Sequence, residues 1–303
     1  MKYSLITTCK GRLHHLKQTL PKMVEEGFHE VIVVDYDCPQ GTYEWVRSNH
    51  PSVKLVKINN ESLFNLSKAR NIGALHSVGD TLCFVDADVK IASGFLEWFT
   101  IHFSQNSFYL SEPQKLRQRD KRLRGVDGLV VCTREQFEAI GGYDDVIAGW
   151  GCEDLDFYWR LIKAGYDTKL FPLDLVGDII DHDDVLRTSY YVLDKGKSDL
   201  VAGFYISAKY KLDGLLPIIN MPRNVRELLY NQAVPACERK IIEFGVPSSI
   251  SGRDISFSVT EAEMAAIKKT IQKTLKPSRK MRSSQKLRKI SMYPVRFIRR
   301  CIK

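Results

Sequence analysis

Hydrophobic positions change their period along this chain. In the first part, short runs rich in β-branched and aromatic side chains fall at residues 4–8, 31–35, 53–58 and 81–86. Between them, residues 13–26, 41–49 and 66–77 carry apolar side chains near helical spacing. Strands alternating with helices predict βαβ units and an α/β fold with a mostly parallel, doubly wound sheet. Ligands of such sheets bind beyond the carboxyl ends of the strands. Asp35 and Asp86 both end predicted strands, so they point toward one crevice.

The pattern then loosens. Residues 114–124 are polar and basic with no apolar period, a loop length that usually carries function. Residues 126–132 predict a strand, 134–139 a short helix, 155–164 a helix and 167–171 another strand. Residues 189–253 show helical patches and turns. Thr260-Glu261-Ala262-Glu263 fits a capping box that opens a helix to about Leu275, and Pro277 ends it.

Composition narrows the class. Hydrophobic content of 44% and charged content of 27% are ordinary for a globular chain of 303 residues. No run of eighteen apolar residues exists, so no membrane-spanning helix is expected. Thr7, Thr8, Lys10 and Arg12 interrupt the apolar N-terminal segment too early for a secretory signal. The seven cysteines are scattered without a CxxC pair, which argues against a zinc knuckle or disulfide framework and suits a reducing compartment. Net charge is +9, unevenly placed: from Met264 onward there are fourteen Lys or Arg and no acid. The preceding 263 residues hold 31 basic and 36 acidic side chains, so a mildly acidic body carries a basic tail.

Two segments carry chemistry. Asp86-Ala87-Asp88 follows the apolar run Thr81-Leu82-Cys83-Phe84-Val85, and alternation along an extended chain puts both carboxylates on one side. Such a pair suits a hard divalent cation bridging a diphosphate, although two solvated aspartates at a strand end look the same. Gly141-Gly142-Tyr143-Asp144-Asp145 and Trp150-Gly151-Cys152-Glu153-Asp154-Leu155-Asp156 gather aromatic, glycine and acidic residues into sixteen positions. Acids favour a helix N-terminus for its dipole. That does not explain Trp150-Gly151, where a large aromatic beside glycine offers a flat face to a pyranose. Arg70 before a glycine-bearing helical turn suits a phosphate, or is a surface helix charge. His182 stands alone among Asp181, Asp183 and Asp184, and is either a plain turn residue or a ligand.

Together with Thr7-Thr8-Cys9-Lys10-Gly11-Arg12 and Ser67-Lys68-Ala69-Arg70-Asn71-Ile72-Gly73, these segments resemble a GT-A glycosyltransferase of the family 2 type. The second half resembles the galactosyltransferase-like segment of chondroitin polymerases, polypeptide GalNAc-transferases and β-1,4-galactosyltransferases. The resemblance covers residues 1–190. It implies a GT-A catalytic domain there, with a nucleotide-binding half at 1–110 and an acceptor half at 111–190. A mainly helical extension over 191–259 and a capped helix with a basic tail over 260–303 follow.

Carried over, the family places Thr7, Thr8 and Arg12 beside the nucleotide, Asp35 on the base and Arg70 on the diphosphate. Asp86 approaches ribose and metal, Asp88 ligates Mn²⁺ or Mg²⁺, and His182 stands where relatives put an imidazole ligand. Asp154 is implied as the catalytic base, Glu153 and Gly151 as part of the sugar site, and Trp150 as a stacking face. Two departures stand out. Asp35-Tyr36-Asp37-Cys38-Pro39 replaces the usual acid-glycine-serine run, leaving the base contact open between Asp35 and Asp37. Cys152 replaces a glycine, which is expected to narrow the acceptor pocket.

The expected activity is metal-dependent, inverting transfer of a hexose or N-acetylhexosamine from a UDP-sugar to a glycan or lipid-linked glycan. Retention stays open, because some relatives of the second half retain configuration. A sugar nucleotidyltransferase is the rival enzyme, but Thr8-Cys9-Lys10-Gly11-Arg12 lacks its glycine-rich loop. A catalytically inactive carbohydrate-binding subunit is the rival outside enzymes, against which Asp86, Asp88 and Asp154 stand. The tail over 276–303 interleaves basic and apolar residues, which suits an anionic membrane surface or a solvated tail. It holds no base-reading motif, so no nucleic acid partner is expected. The expected location is the bacterial cytoplasm, on the inner face of the cell membrane where the tail engages it.

Overall fold

The computed structural model describes residues 1–111, 126–181 and 183–276, the side chain of Asp127 excepted. His182, the polar loop at 114–124 and the tail beyond Lys276 lie outside the described residues. A seven-stranded sheet is formed by β1 (Tyr3–Cys9), β2 (Glu30–Tyr36), β3 (Lys54–Ile58), β4 (Thr81–Phe84), β6 (Ser107–Ser111), β7 (Val130–Thr133) and β8 (Asp167–Phe171). Its order is β3-β2-β1-β4-β7-β6-β8. Strand β7 alone runs antiparallel to its neighbours, so the sheet is mostly parallel. The fold is α/β, with helices on both faces.

Alternation within the first strands explains why both faces are covered. Leu5 and Cys9 of β1 pack into one core with Val31 and Val33 of β2. Ile6 packs into the opposite core with Ile32, Val34 and Tyr36. Strands buried on both sides read as continuous apolar runs, as these do. Helices Leu13–Glu25 and Phe95–His102 cover the first face; Leu66–His76 and Glu153–Lys163 cover the second. Fully burying one such side chain stabilises by about 1.5–3 kcal/mol.

Several elements were not expected. The strand predicted at 126–132 is a 3₁₀ turn, Val126–Gly128, followed by β7. Strand β4 stops at Phe84, and Asp86-Ala87-Asp88 forms a turn in which the Val89 amide donates to the Asp86 carbonyl at 3.1 Å. The two carboxylates are therefore not set on one side by strand alternation. A short antiparallel pair, β5 (Val89–Ile91) with β9 (Val176–Ile179), follows that turn.

Residues after the sheet build a third core. Helices Lys195–Leu212, Arg223–Ala233 and Glu261–Thr274 pack with a hairpin of β10 (Ile241–Val246) and β11 (Ile255–Thr260). Ile147 and Trp159, from the acceptor-side motif and its helix, belong to that same core. Among the described residues no helix is long and apolar enough to cross a membrane.

Candidate active site

At the carboxyl ends of β1 and β2 the chain is fastened by polar groups. Lys10, nearly buried, donates its Nζ to the carbonyls of Tyr36, Asp37 and Glu61 at 3.2, 3.0 and 2.6 Å. Nothing in its neighbours signals that role, because its three partners are backbone atoms from other segments. Thr7 and Thr8 are buried within β1. Asp35 is 2% exposed and accepts from the amides of Cys38 and Tyr43 at 2.8 and 2.9 Å. Burial pushes its carboxyl up while those two amides pull it down. Asp37, in a left-handed conformation, accepts from the Glu61 amide at 3.1 Å. As placed, Asp35 organises the turn that follows β2.

The turn after β4 presents Asp86 and Asp88 to two different arginines. Arg12 reaches Asp88 at 3.0 Å, with side chains 19% and 16% exposed. Arg70 is 2% exposed and donates Nη2 to Asp86 at 2.8 Å and Nη1 to Asp154 at 2.6 Å. It lies over the Tyr143 ring, 4.9 Å from the centroid. Arg70 was expected to face the diphosphate; it is instead buried and spans two carboxylates 68 positions apart in sequence. The approach needs Gly128: a Cβ there would fall 2.2 Å from an Asp86 oxygen and 2.5 Å from Nη2 of Arg70.

Asp154 reaches this point because of the backbone before it. Gly151 (φ 99°) and Cys152 (φ 65°) are both left-handed, turning the chain sharply into helix Glu153–Lys163. A non-glycine residue with positive φ, such as Cys152, is uncommon. The Cys152 thiol points to Asp199 at 3.5 Å, and Asp199 is held by Lys268 at 2.9 Å. It thus faces the C-terminal helices, and the expectation that it narrows the acceptor pocket is replaced by this contact.

Burial pushes the Asp154 carboxyl well above the usual range; Arg70 pulls it down, and Glu153 and Asp86 push it further up. Glu153 is raised for the same first reason, against the pull of Arg70. Two carboxylates thus pair with one guanidinium while Glu153 adds a third negative charge nearby, which favours a retained proton. Trp150 lies beneath two cations, Arg187 at 5.8 Å and Lys195 at 5.1 Å from its ring centroid. Between these two cations in sequence, the Tyr190 carbonyl accepts from the Phe64 amide and its ring faces Lys10, and burial and Glu153 push the Tyr191 phenol up. These residues fall outside every recognised motif.

The remaining motif residues are structural. Asn71 exchanges hydrogen bonds with the Tyr143 backbone at 2.8 and 2.9 Å, locking the helix of Arg70 to the acceptor-side loop. Asp144 accepts from Tyr205 at 2.6 Å, Lys209 at 2.8 Å and Arg226 at 2.5 Å. Lys209, 1% exposed, also meets Asp156 at 2.5 Å, and Asp156 holds Arg160 at 2.7 Å. Among the described residues no three His, Cys, Asp or Glu side chains cluster as a metal site. Asp86 and Asp88 share one turn but pair with different arginines, Arg70 and Arg12; His182 lies outside the described residues.

Residues 4–112 match the model of glycosyl transferase family 2, and residues 107–182 match a model described as N-terminal domain of galactosyltransferase. Over these residues the chain is similar to family 2-like glycosyltransferases. The chain is 24% identical over 221 residues to polypeptide N-acetylgalactosaminyltransferase 4 of Mus musculus, covering 57% of this chain and 37% of the relative. It is 26% identical over 147 residues to the pre-mycofactocin glycosyltransferase of Mycobacterium tuberculosis, covering 39% of this chain and 30% of that one. The chain thus spans about a third of the length of these curated relatives. Among solved structures, a mannosyltransferase from Pyrobaculum calidifontis in complex with GDP-Man and Mn²⁺ shares the fold. Its TM-score is 0.52 at 20% identity, covering 78% of this chain and 72% of that chain. GalNAc-T7 with UDP, GalNAc and Mn²⁺ gives 0.51 at 15% identity, covering 77% and 54%. The fold is GT-A.

Proposed function

We propose that this glycosyltransferase moves a hexose or N-acetylhexosamine from a UDP-sugar to a glycan or lipid-linked glycan, with inversion at the anomeric carbon. The observation that carries this reading is the Arg70 bridge between Asp86 and Asp154. One guanidinium holds the donor-side carboxylate and the acceptor-side carboxylate in a fixed relation. Asp154 takes the proton of the acceptor hydroxyl as its oxygen attacks the anomeric carbon, and the bond to UDP breaks with its electron pair leaving on the diphosphate. A raised carboxyl pKa suits a base working near neutral pH. Glu153 lies next to the base on the same first helical turn, where it binds the sugar, with Gly151 shaping the loop beneath it.

Asp86, paired with Arg70, and Asp88, paired with Arg12, are partly exposed hard oxygen donors on one turn, a chemistry that fits Mn²⁺ or Mg²⁺. Asp88 and Asp86 would hold the ion, with His182 as third ligand. When bound, the cation neutralises charge building on the leaving diphosphate. Arg12 supplies positive charge at the same place. Trp150 with Arg187 and Lys195 forms the acceptor side. The tail over 276–303 engages an anionic membrane on the cytoplasmic side, which brings a lipid-linked acceptor within reach.

The test is a UDP-release screen across nucleotide sugars, run with Mn²⁺ and with chelator, followed by NMR of the product linkage. Release from one UDP-sugar, abolished by chelator, is the expected result. Absence of release from every donor would leave the carbohydrate-binding reading as the better one.

A further inference from the structure

The turn that aims Asp154 is held from outside the sheet. Cys152 is a non-glycine residue at φ 65°, a conformation that costs free energy and persists only where the surroundings hold it. Its carbonyl accepts the Asp156 amide at 3.0 Å and so begins helix Glu153–Lys163. Asp154 is two residues on, where its carboxylate meets Arg70 at 2.6 Å. The backbone angles at residue 152 therefore fix the direction in which Asp154 leaves the turn.

What holds Cys152 comes from two helices of the third core. Asp199, on helix Lys195–Leu212, accepts from its thiol at 3.5 Å. Burial pushes that thiol up to about 12, so it keeps its proton and donates. The same carboxylate lies against Gly151: a Cβ there would fall 3.2 Å from its Oδ1 and 3.7 Å from the Asp199 Cα. Lys268, on helix Glu261–Thr274, donates to both Asp199 oxygens at 2.9 Å. Its stem passes Gly203, four residues beyond Asp199, where a Cβ would meet Lys268 Cδ at 3.4 Å and the Met264 sulfur at 2.8 Å. A lysine 19% exposed, with both oxygens engaged and its stem packed, is fixed more firmly than one in an open surface pair.

We propose that Asp199 and Lys268 are positioning residues for the base: the pair holds Cys152 left-handed, and Cys152 in turn sets Asp154 against Arg70. They act through Cys152, not on the substrate. Without the pair the backbone at residue 152 relaxes toward the ordinary right-handed region, the first turn of helix Glu153–Lys163 frays, and Asp154 leaves Arg70. Helices Lys195–Leu212 and Glu261–Thr274 thereby take part in turnover, although neither supplies a reacting group. That Asp154 is the base rests on the reading above; the grip on the turn does not.

Lys268→Met keeps the stem and removes the charge, Asp199→Ala removes the acceptor, and Asp199→Asn keeps an oxygen for the thiol. The full chain of each is followed by hydrogen exchange with mass spectrometry and by UDP release. In Lys268→Met and Asp199→Ala, peptides covering 150–157 are expected to exchange at least about tenfold faster, with those of β1 and β2 unchanged. Their kcat is expected to fall at least about tenfold while KM for the nucleotide sugar stays within about twofold, the mark of a displaced catalytic group and not of lost donor binding. Asp199→Asn should recover most of that loss. Cys152→Gly adopts the left-handed turn without help, so adding Asp199→Ala to it should lower kcat by less than about twofold. Where Asp199→Ala fails to fold, Lys268→Met carries the same readouts, alone and on Cys152→Gly. Faster exchange across the whole chain, an unchanged 150–157 segment, or equal kcat losses with and without Cys152→Gly would each overturn the proposal. A wild-type chain that releases UDP from no donor counts against the glycosyl-transfer reading, and exchange at 150–157 then decides the grip alone.

Discussion

Arg70 and Asp154 meet at 2.6 Å although 84 positions separate them in sequence. Because the same guanidinium holds Asp86, any change at one carboxylate is felt at the other. Asp154→Asn keeps the size of the side chain and removes proton acceptance. It is expected to retain UDP binding and to lose turnover by at least about 10²-fold, the scale of general-base catalysis. Near-normal turnover measured by UDP release would move the role to Glu153.

The raised carboxyls of Asp154 and Glu153 set two opposite pH trends. A carboxyl whose folded pKa lies above its unfolded value binds more protons when folded. Its contribution to stability is complete below the unfolded value, about 3.9–4.3, and is lost as pH rises through the folded pKa. Unfolding temperature is therefore expected to rise as pH is lowered from neutral toward about 5, and Asp154→Asn should flatten that slope. Asp144, held low by Lys209, Arg160 and Arg226 against burial, contributes stability that is lost only as pH falls below its unfolded value of about 3.9. Activity runs the other way, since the base must be unprotonated. The acid limb of the rate profile should lie above the ordinary carboxylate range; a limb near pH 4 would refute Asp154 as the base.

Asp88 tests the metal. Asp88→Asn removes one charged oxygen ligand and weakens the pairing with Arg12, at a partly exposed position where the fold should tolerate it. Mn²⁺-dependent UDP affinity is expected to fall, with the circular dichroism spectrum unchanged. Calorimetry giving the same UDP affinity with Mn²⁺ would remove Asp88 from the ligand set.

Lys209 is 1% exposed between Asp144 and Asp156. Lys209→Met leaves two buried carboxylates short of their shared cation, and breaking a buried pair in this way costs about 3–5 kcal/mol. Urea unfolding would read the loss directly. A change under about 1 kcal/mol would show that Arg226 and Arg160 suffice without Lys209.

The tail prediction is electrostatic. Anionic liposomes are expected to pull down the full chain but not a chain ending near Pro277. Binding should weaken as salt shortens the screening length from about 10 Å at 0.1 M to about 3 Å at 1 M. Equal pull-down of both chains would assign the tail to solvent.

The first four strands were legible because their signals are local: an apolar run, then a polar break, then a helical period. The insertion of β7 between β4 and β6 was not, since strand order depends on pairing between distant segments. Nor was the role of Arg70, whose two partners come from other elements. The motif around it singled out the residue, while its contacts stayed hidden. Helix Lys195–Leu212 is buried on most of its surface, which erases the amphipathic stripe a reader relies on. Its buried lysine therefore looked like any surface charge. The hairpin Ile241–Val246 with Ile255–Thr260 was hidden among turns, because its edges are half exposed and its apolar alternation is short.

Lys209 also bears on how this chain was assembled. A boundary at residue 190 separates the acceptor-side acids from Lys209, which among the described residues is the lysine that neutralises both of them. The loop over 141–156 and helix Lys195–Leu212 must then be inherited as a unit. A chimera that grafts this acceptor loop onto another GT-A scaffold should fold only if the helix travels with it, or if Asp144 and Asp156 are replaced by apolar residues.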